Sequence, residues 1–200
     1  MSVPRCEFHC QRGMLMIEVL VTILITTLGL LGIIALFAKS QVMSDEAYQR
    51  YQALDIAQQL GEVLSTNRTE AALNAASGYV ITTTLAGDPL FLDSPSNANM
   101  AIQDLSRFHE ALVGAQKISA GNKIAPLVSA RGCVDFLGTV GDVTDPPRYR
   151  ISVAWQGRQE IAVQSGEVLL GGSDCAKNLY GTGGDDVKRR RVVSIEVQVL

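Results

Sequence analysis

Glu18 is the only ionisable residue in a run of twenty-five, Met14 to Ala38, that is otherwise uncharged. An ionised side chain inside an apolar helix costs at least ~2.5–3.5 kcal/mol on insertion scales, so it calls for a partner or a function. Either its carboxylate pairs with a cation in the same apolar surroundings, or it stays near a membrane interface and snorkels. The other residues with chemical potential carry less. Cys6-x-x-His9-Cys10 offers three metal-binding side chains within five residues, but lacks the fourth ligand and second cluster of a structural zinc site. Gly181-Thr182-Gly183-Gly184-Asp185-Asp186 has neither the lysine and hydroxyl of a phosphate loop nor the acidic spacing of a calcium loop, and reads as a flexible loop. His109 is the only histidine outside the first ten residues and reads as an ordinary surface or boundary residue. With no nucleophile beside a credible base, the expectation is no enzyme, no cofactor and no metal, and a protein that acts through assembly.

The element that must position Glu18 is a helix. At 1.5 Å per residue, its apolar run spans about 37 Å against a hydrocarbon core of ~30 Å, so it can cross a bilayer with some tilt. Residues 1–13 precede it as a polar leader bearing Arg5 and Arg12. This is not the design of an ordinary signal peptide, whose short apolar stretch follows the basic residues and is removed with them. The two arginines place the N-terminal end in the cytoplasm and send residues 40–200 to the outer face.

Gly13, Met14 and Glu18 together resemble the type IV prepilin motif: a basic leader ending in glycine, an apolar N-terminal helix, and glutamate at the fifth residue after the cut. Met14 stands where the family usually has phenylalanine. The resemblance implies that a prepilin peptidase cuts between Gly13 and Met14 and methylates the new amino terminus. It also implies a partner for Glu18, the cationic terminal amine of Met14 in a neighbouring subunit. Such a buried pair adds little raw stability but penalises wrong registers.

Removing residues 1–13 takes away Arg5, Arg12 and Glu7, a net of +1, so the formal charge falls from −3 to −4. That mild acidity gives no general reason to expect nucleic acid. Cys6 and Cys10 would leave with the leader, so Cys133 and Cys175 remain in the exported part. In an oxidising compartment they are expected to be joined, closing a loop of about 43 residues and contributing ~4 kcal/mol in the chain-entropy model. The alternative is a pair of buried free thiols.

Beyond Ala38 no proline appears until Pro89. Tyr48, Tyr51 and Leu54, then Ala53, Ile56, Ala57, Leu60, Val63 and Leu64, recur at spacings of three and four, so one helix is expected from about Met14 to Thr66. Gly29 and Gly32 either allow close helix approach or loosen the helix locally. Residues 68–76 suggest a turn or short helix ended by Gly78, residues 85–99 a surface loop, and residues 100–118 a helix through Ile102, Leu105, Phe108, Leu112 and Val113. Tyr149, Ile151, Val153 and Trp155 alternate with polar or small residues as a half-buried strand, followed by a turn at Gly157. Residues 159–164 and 167–170 can add strand, and Val193, Ile195, Val197 and Val199 mark the last one.

The expected fold is therefore α+β, with an antiparallel sheet packed on the long N-terminal helix. Its parts are a leader (1–13), a transmembrane or fibre-core helix (14–38), an amphipathic continuation (39–66) and a periplasmic globular head (67–200). The segments RYRISVAWQG and RRRVVSIEV, each with a cysteine ahead of it, resemble the minor pilin subfamily called the type IV pilus modification protein, PilV. With residues 13–66 the resemblance covers roughly half of the chain. It implies a minor pilin in the bacterial inner membrane, then in a priming complex or pilus tip. The implied partners are the prepilin peptidase, other minor pilins, the major pilin and the inner-membrane assembly platform. The implied roles are adhesion, twitching motility or DNA uptake. A minor pseudopilin of a type II secretion system shares the same architecture, and an uncut single-pass membrane protein is a further alternative. Lys188, Arg189, Arg190 and Arg191 allow a DNA-contacting patch at a pilus tip. They read better as a charged edge that blunts strand pairing, with Asp185 and Asp186 beside them.

Overall fold

The computed structural model describes residues 12–72, 78–86, 100–114, 118–119, 122–123, 127–139, 146–161, 173–181 and 188–199. Helix α1 runs from Arg12 to Thr66. The chain divides between Ser44 and Asp45, and α1 is different in character on the two sides. From Met16 to Gln41 every side chain on it is exposed, including Leu20, Leu24, Leu31 and Phe37. This stretch is long and apolar enough to cross a membrane. A helix apolar all round suits an apolar medium rather than water.

In the second unit Ala53, Ile56, Ala57, Leu60 and Leu64 are buried, the three-and-four spacing of a helix with one face in a core. Tyr48 and Tyr51 do not share that face: they are 61% and 68% exposed. At 100° per residue both point to the side of the helix opposite Ala53. Asn67 ends the helix, and the four-residue α2, Arg68–Ala71, follows.

Strands β1 (Ile81–Ala86), β4 (Arg131–Thr139), β5 (Pro147–Gln156) and β6 (Arg190–Gln198) form one antiparallel sheet in the order β1-β4-β5-β6. The two-residue strands β2 (Ile118–Ser119) and β3 (Asn122–Lys123) pair separately. Helix α3, Met100–Val113, precedes them. It is shorter than the sequence suggests, with Ile118 already in β2. Leu85 and Ala86, expected to begin a loop, belong to β1 instead; the rest of that expected loop, residues 87–99, lies outside the described residues. Residues 159–161 are not strand, and the rest of the expected strands at 159–164 and 167–170 lies outside the described residues.

The core lies between α1, α3 and one face of the sheet. Val134, Ile151 and Ile195 form a row across β4, β5 and β6, and α1 passes close above it at Gly61. A Cβ there would meet Val197 Cγ2 at 3.0 Å and Ile195 Cδ1 at 3.3 Å. Gly132 does the same for α3, since a Cβ would lie 2.2 Å from Phe108 Cε1. His109 is buried at 6% exposure, not a surface residue, because α3 turns it inward beside Phe108. Strand β5 is also not half-buried: Ile151 through Trp155 are all buried, because its second face has a cover of its own.

Candidate functional site

Along α1 the polar side chains between Met16 and Ala38 are Glu18, Thr22, Thr26 and Thr27. The threonines satisfy themselves. Thr22 Oγ1 donates to Val19 O at 2.9 Å, Thr26 Oγ1 to Thr22 O at 2.8 Å, and Thr27 Oγ1 to Leu24 O at 2.9 Å. In an apolar medium such back-bonding removes the cost of a bare hydroxyl. Glu18 is exposed and makes no ion pair with another described residue of its own chain. It is thus the one polar side chain between Met16 and Ala38 without a hydrogen bond to its own helix. Gly13 and Met14 lie one turn before it in the same helix. The back-bonding carries no sequence signal of its own, because every helical residue lies three or four residues after a carbonyl and only the hydroxyl rotamer decides the bond.

In the second unit Cys133 and Cys175 form a disulfide, with their Cα atoms 5.8 Å apart. It pins residues 173–181 over the far face of the sheet, where Ala154, Ala176 and Tyr180 are buried with it. Tyr180 Oη donates to Ser129 O at 2.9 Å. Beneath it Ser152 Oγ and Ser194 Oγ share a hydrogen bond of 3.0 Å.

The basic run is not a common patch. Arg190 is 2% exposed, and its Nη1 donates to Cys175 O at 3.0 Å and Ser173 O at 3.4 Å, so a buried cation finds carbonyl acceptors. Arg189 pairs with Glu160 at 2.9 Å and Arg191 with Glu46 at 3.2 Å. Lys188 stands at the entrance to β6, an edge strand of the sheet. Asp185, Asp186, Cys6, His9 and Cys10 lie outside the described residues.

A polar cluster that the sequence did not announce ties the end of α1 to α3. Tyr79 Oη donates to Asp104 Oδ2 at 2.6 Å and accepts from Asn67 Nδ2 at 3.0 Å. Arg107 Nη1 meets Asp104 Oδ1 at 3.2 Å. Burial, and then the Asp104 carboxylate, push the Tyr79 hydroxyl far above its usual range, with Asn67 opposing. The phenol therefore stays protonated as a donor. Tyr149 Oη donates to Ala71 O from the sheet below. A cavity of about 150 Å³ opens beside this cluster, lined by Ile56, Leu60, Val63, Asp104, Arg107 and Phe108 among others. Among the described residues no group of three or more metal-ligating side chains occurs.

Fold and site together define an α+β protein whose sheet-packed unit is preceded by an apolar helix long enough to cross a membrane. No family model, curated protein or solved structure matches the chain.

Proposed function

We propose that the chain is a minor pilin of a type IV pilus, anchored in the bacterial inner membrane with its head in the periplasm until it joins a fibre. Prepilin peptidase cuts after Gly13 and methylates Met14. The mature protein then enters a priming or tip complex with other minor pilins and the major pilin on the inner-membrane assembly platform. The observation that carries this reading is the isolation of Glu18: in an apolar, exposed stretch where every other polar side chain back-bonds to its own helix, one carboxylate remains to be neutralised. The methylated amine of Met14 in an adjacent subunit supplies the opposite charge. The continuation of the same helix into a sheet-packed head supports a design in which the apolar half is transferred from lipid to fibre core. The spending of Arg189, Arg190 and Arg191 on contacts inside the chain favours the edge role over DNA contact.

The test is the mature N-terminus, measured by mass spectrometry of membrane fractions with and without the peptidase. Methylated Met14 with the enzyme and an intact leader without it are expected. An uncut chain in both samples overturns the reading and leaves a plain single-pass membrane protein.

A further inference from the structure

Within the second unit, α1 is held to the sheet in two different ways. From Ala53 onward the attachment is apolar, through Ala53, Ile56, Ala57, Leu60 and Leu64. Over the preceding two turns it is polar. Asp45 Oδ2 accepts from Arg158 Nη1 at 2.6 Å, Glu46 Oε1 from Arg191 Nη2 at 3.2 Å, and Gln49 Oε1 from Trp155 Nε1 at 3.2 Å. These three acceptors lie on neighbouring turns of the helix, and their donors come from the end of β5, the turn after it and the start of β6. Arg191 is further fixed by donating to Gln159 O at 2.8 Å and Lys188 O at 3.0 Å.

We infer that this is a releasable collar, a conformational latch whose opening frees residues 45–52 while the core from Ala53 stays closed. The argument rests on the kind of bond. Asp45 and Arg158 are 53% and 60% exposed, and such exposed ion pairs are weak and screened by salt; Glu46 and Arg191, at 32% and 15%, are screened less, whereas burial of apolar surface is not screened. An all-apolar attachment would open only with the core. A polar one, placed at the edge where the chain arrives from the apolar helix, opens first and makes a compliant joint ahead of the packed head. Gly157 is built for it. A Cβ at that position would lie 2.6 Å from Arg191 Cζ and 2.9 Å from its Nε, so only glycine lets the guanidinium cross the turn to Glu46. This inference does not depend on the pilus reading.

The chain carries its own probe, since Trp155 is its single tryptophan, is 3% exposed and belongs to the collar. Acrylamide quenching of Trp155 is measured on the full chain in zwitterionic detergent micelles, from about 20 mM to about 1 M NaCl, where the screening length falls to ~3 Å. Quenching is expected to rise several-fold with salt while far-UV circular dichroism is unchanged. Gly157→Ala displaces only the flexible end of Arg191 and is expected to reproduce the high-salt quenching at low salt. Exchanging the charges, Asp45→Arg with Arg158→Asp, is expected to restore the wild-type response that either change alone loses. Flat quenching across the salt range in the folded wild type, or a Gly157→Ala protein indistinguishable from it, overturns the inference: apolar contacts then hold Trp155 closed. The N-terminal mass measurement is unaffected by either outcome.

Discussion

The two faces of β5 are both buried, yet by different means. On one, Tyr149, Ile151, Val153 and Trp155 meet a core built from α1, α3 and the other strands of the sheet. On the other, Ser152 and Ala154 lie under a short segment that holds its place through one disulfide, the Tyr180 hydroxyl and the carbonyls that Arg190 grips. That segment includes Ala176 at φ 57° and Asn178 at φ 67°, left-handed conformations that an alanine in particular adopts only under constraint. The comparison teaches that a surface too small to retain its cover by apolar area can be closed by covalent tethering. Disruption should therefore be global on the first face and local on the second.

The largest effect belongs to the helix-facing side. Ile151 is fully buried under Gly61, with Val134 and Ile195 on either side. Ile151→Ala is expected to cost about 4 kcal/mol, as lost transfer energy plus an unfilled cavity. Because α1 and all the central strands share this row, urea unfolding followed by circular dichroism and by loss of hydrogen-exchange protection at Val134 and Val153 should shift together. Separation of the two transitions would mean that the face is not one cooperative unit.

Next comes the tether. Replacing Cys133 and Cys175 together by alanine is expected to cost about 3 kcal/mol, with a different signature. Hydrogen exchange should rise most in residues 173–181 and around Ser152 and Ala154, through local opening, while Val134 and Ile151 lose only the protection that the drop in global stability removes. Equal loss on both faces would erase the distinction drawn between them.

How much of this was legible beforehand follows from the same contrast. The long helix showed in an unbroken apolar run followed by a three-and-four stripe, and β5 and β6 showed in their alternation. What alternation could not reveal is a second cover: Ser152 and Ala154 read as solvent-facing because the residues that bury them come from beyond Gly171, across a disulfide. Strand β4 gives little alternation to read, because only Val134 and Phe136 mark its inner face before Gly138, at φ 95°, and the register irregularity there. Strand β1 had a usable signal in the β-branched run Ile81 to Thr84. The burial of Arg190 within a run of four cations depends on its place opposite Gln156 in the ladder, a tertiary fact that composition does not carry. In the apolar helix the solitary charge of Glu18 was plain from sequence. Its isolation was not, since that depends on the hydroxyl rotamers of three threonines.

The smallest effect sharpens the polar margin of the tethered face. Asp135 lies opposite Arg150, which in turn lies opposite Glu196 and gives its Nη2 to Glu196 Oε1 at 3.1 Å. Burial raises the Asp135 carboxyl above its ordinary value of 3.8; Arg150 pulls it back and Asp174 adds to the rise. A carboxyl whose folded-state value is raised binds its proton more tightly in the fold than in the unfolded chain. Its contribution to stability is therefore fully present below the unfolded value and is lost as pH climbs through the folded one. At neutral pH the ionised group is a burden that the tether must hold closed. Asp135→Asn removes the charge and keeps the shape, so it should stabilise the protein at pH 7 and lose that advantage as pH falls below the ordinary carboxylate range. Melting temperatures of both proteins across that range measure it. A stabilisation independent of pH would point to packing rather than charge, and a destabilisation at pH 7 would show that the pull of Arg150 outweighs burial on this side of the sheet.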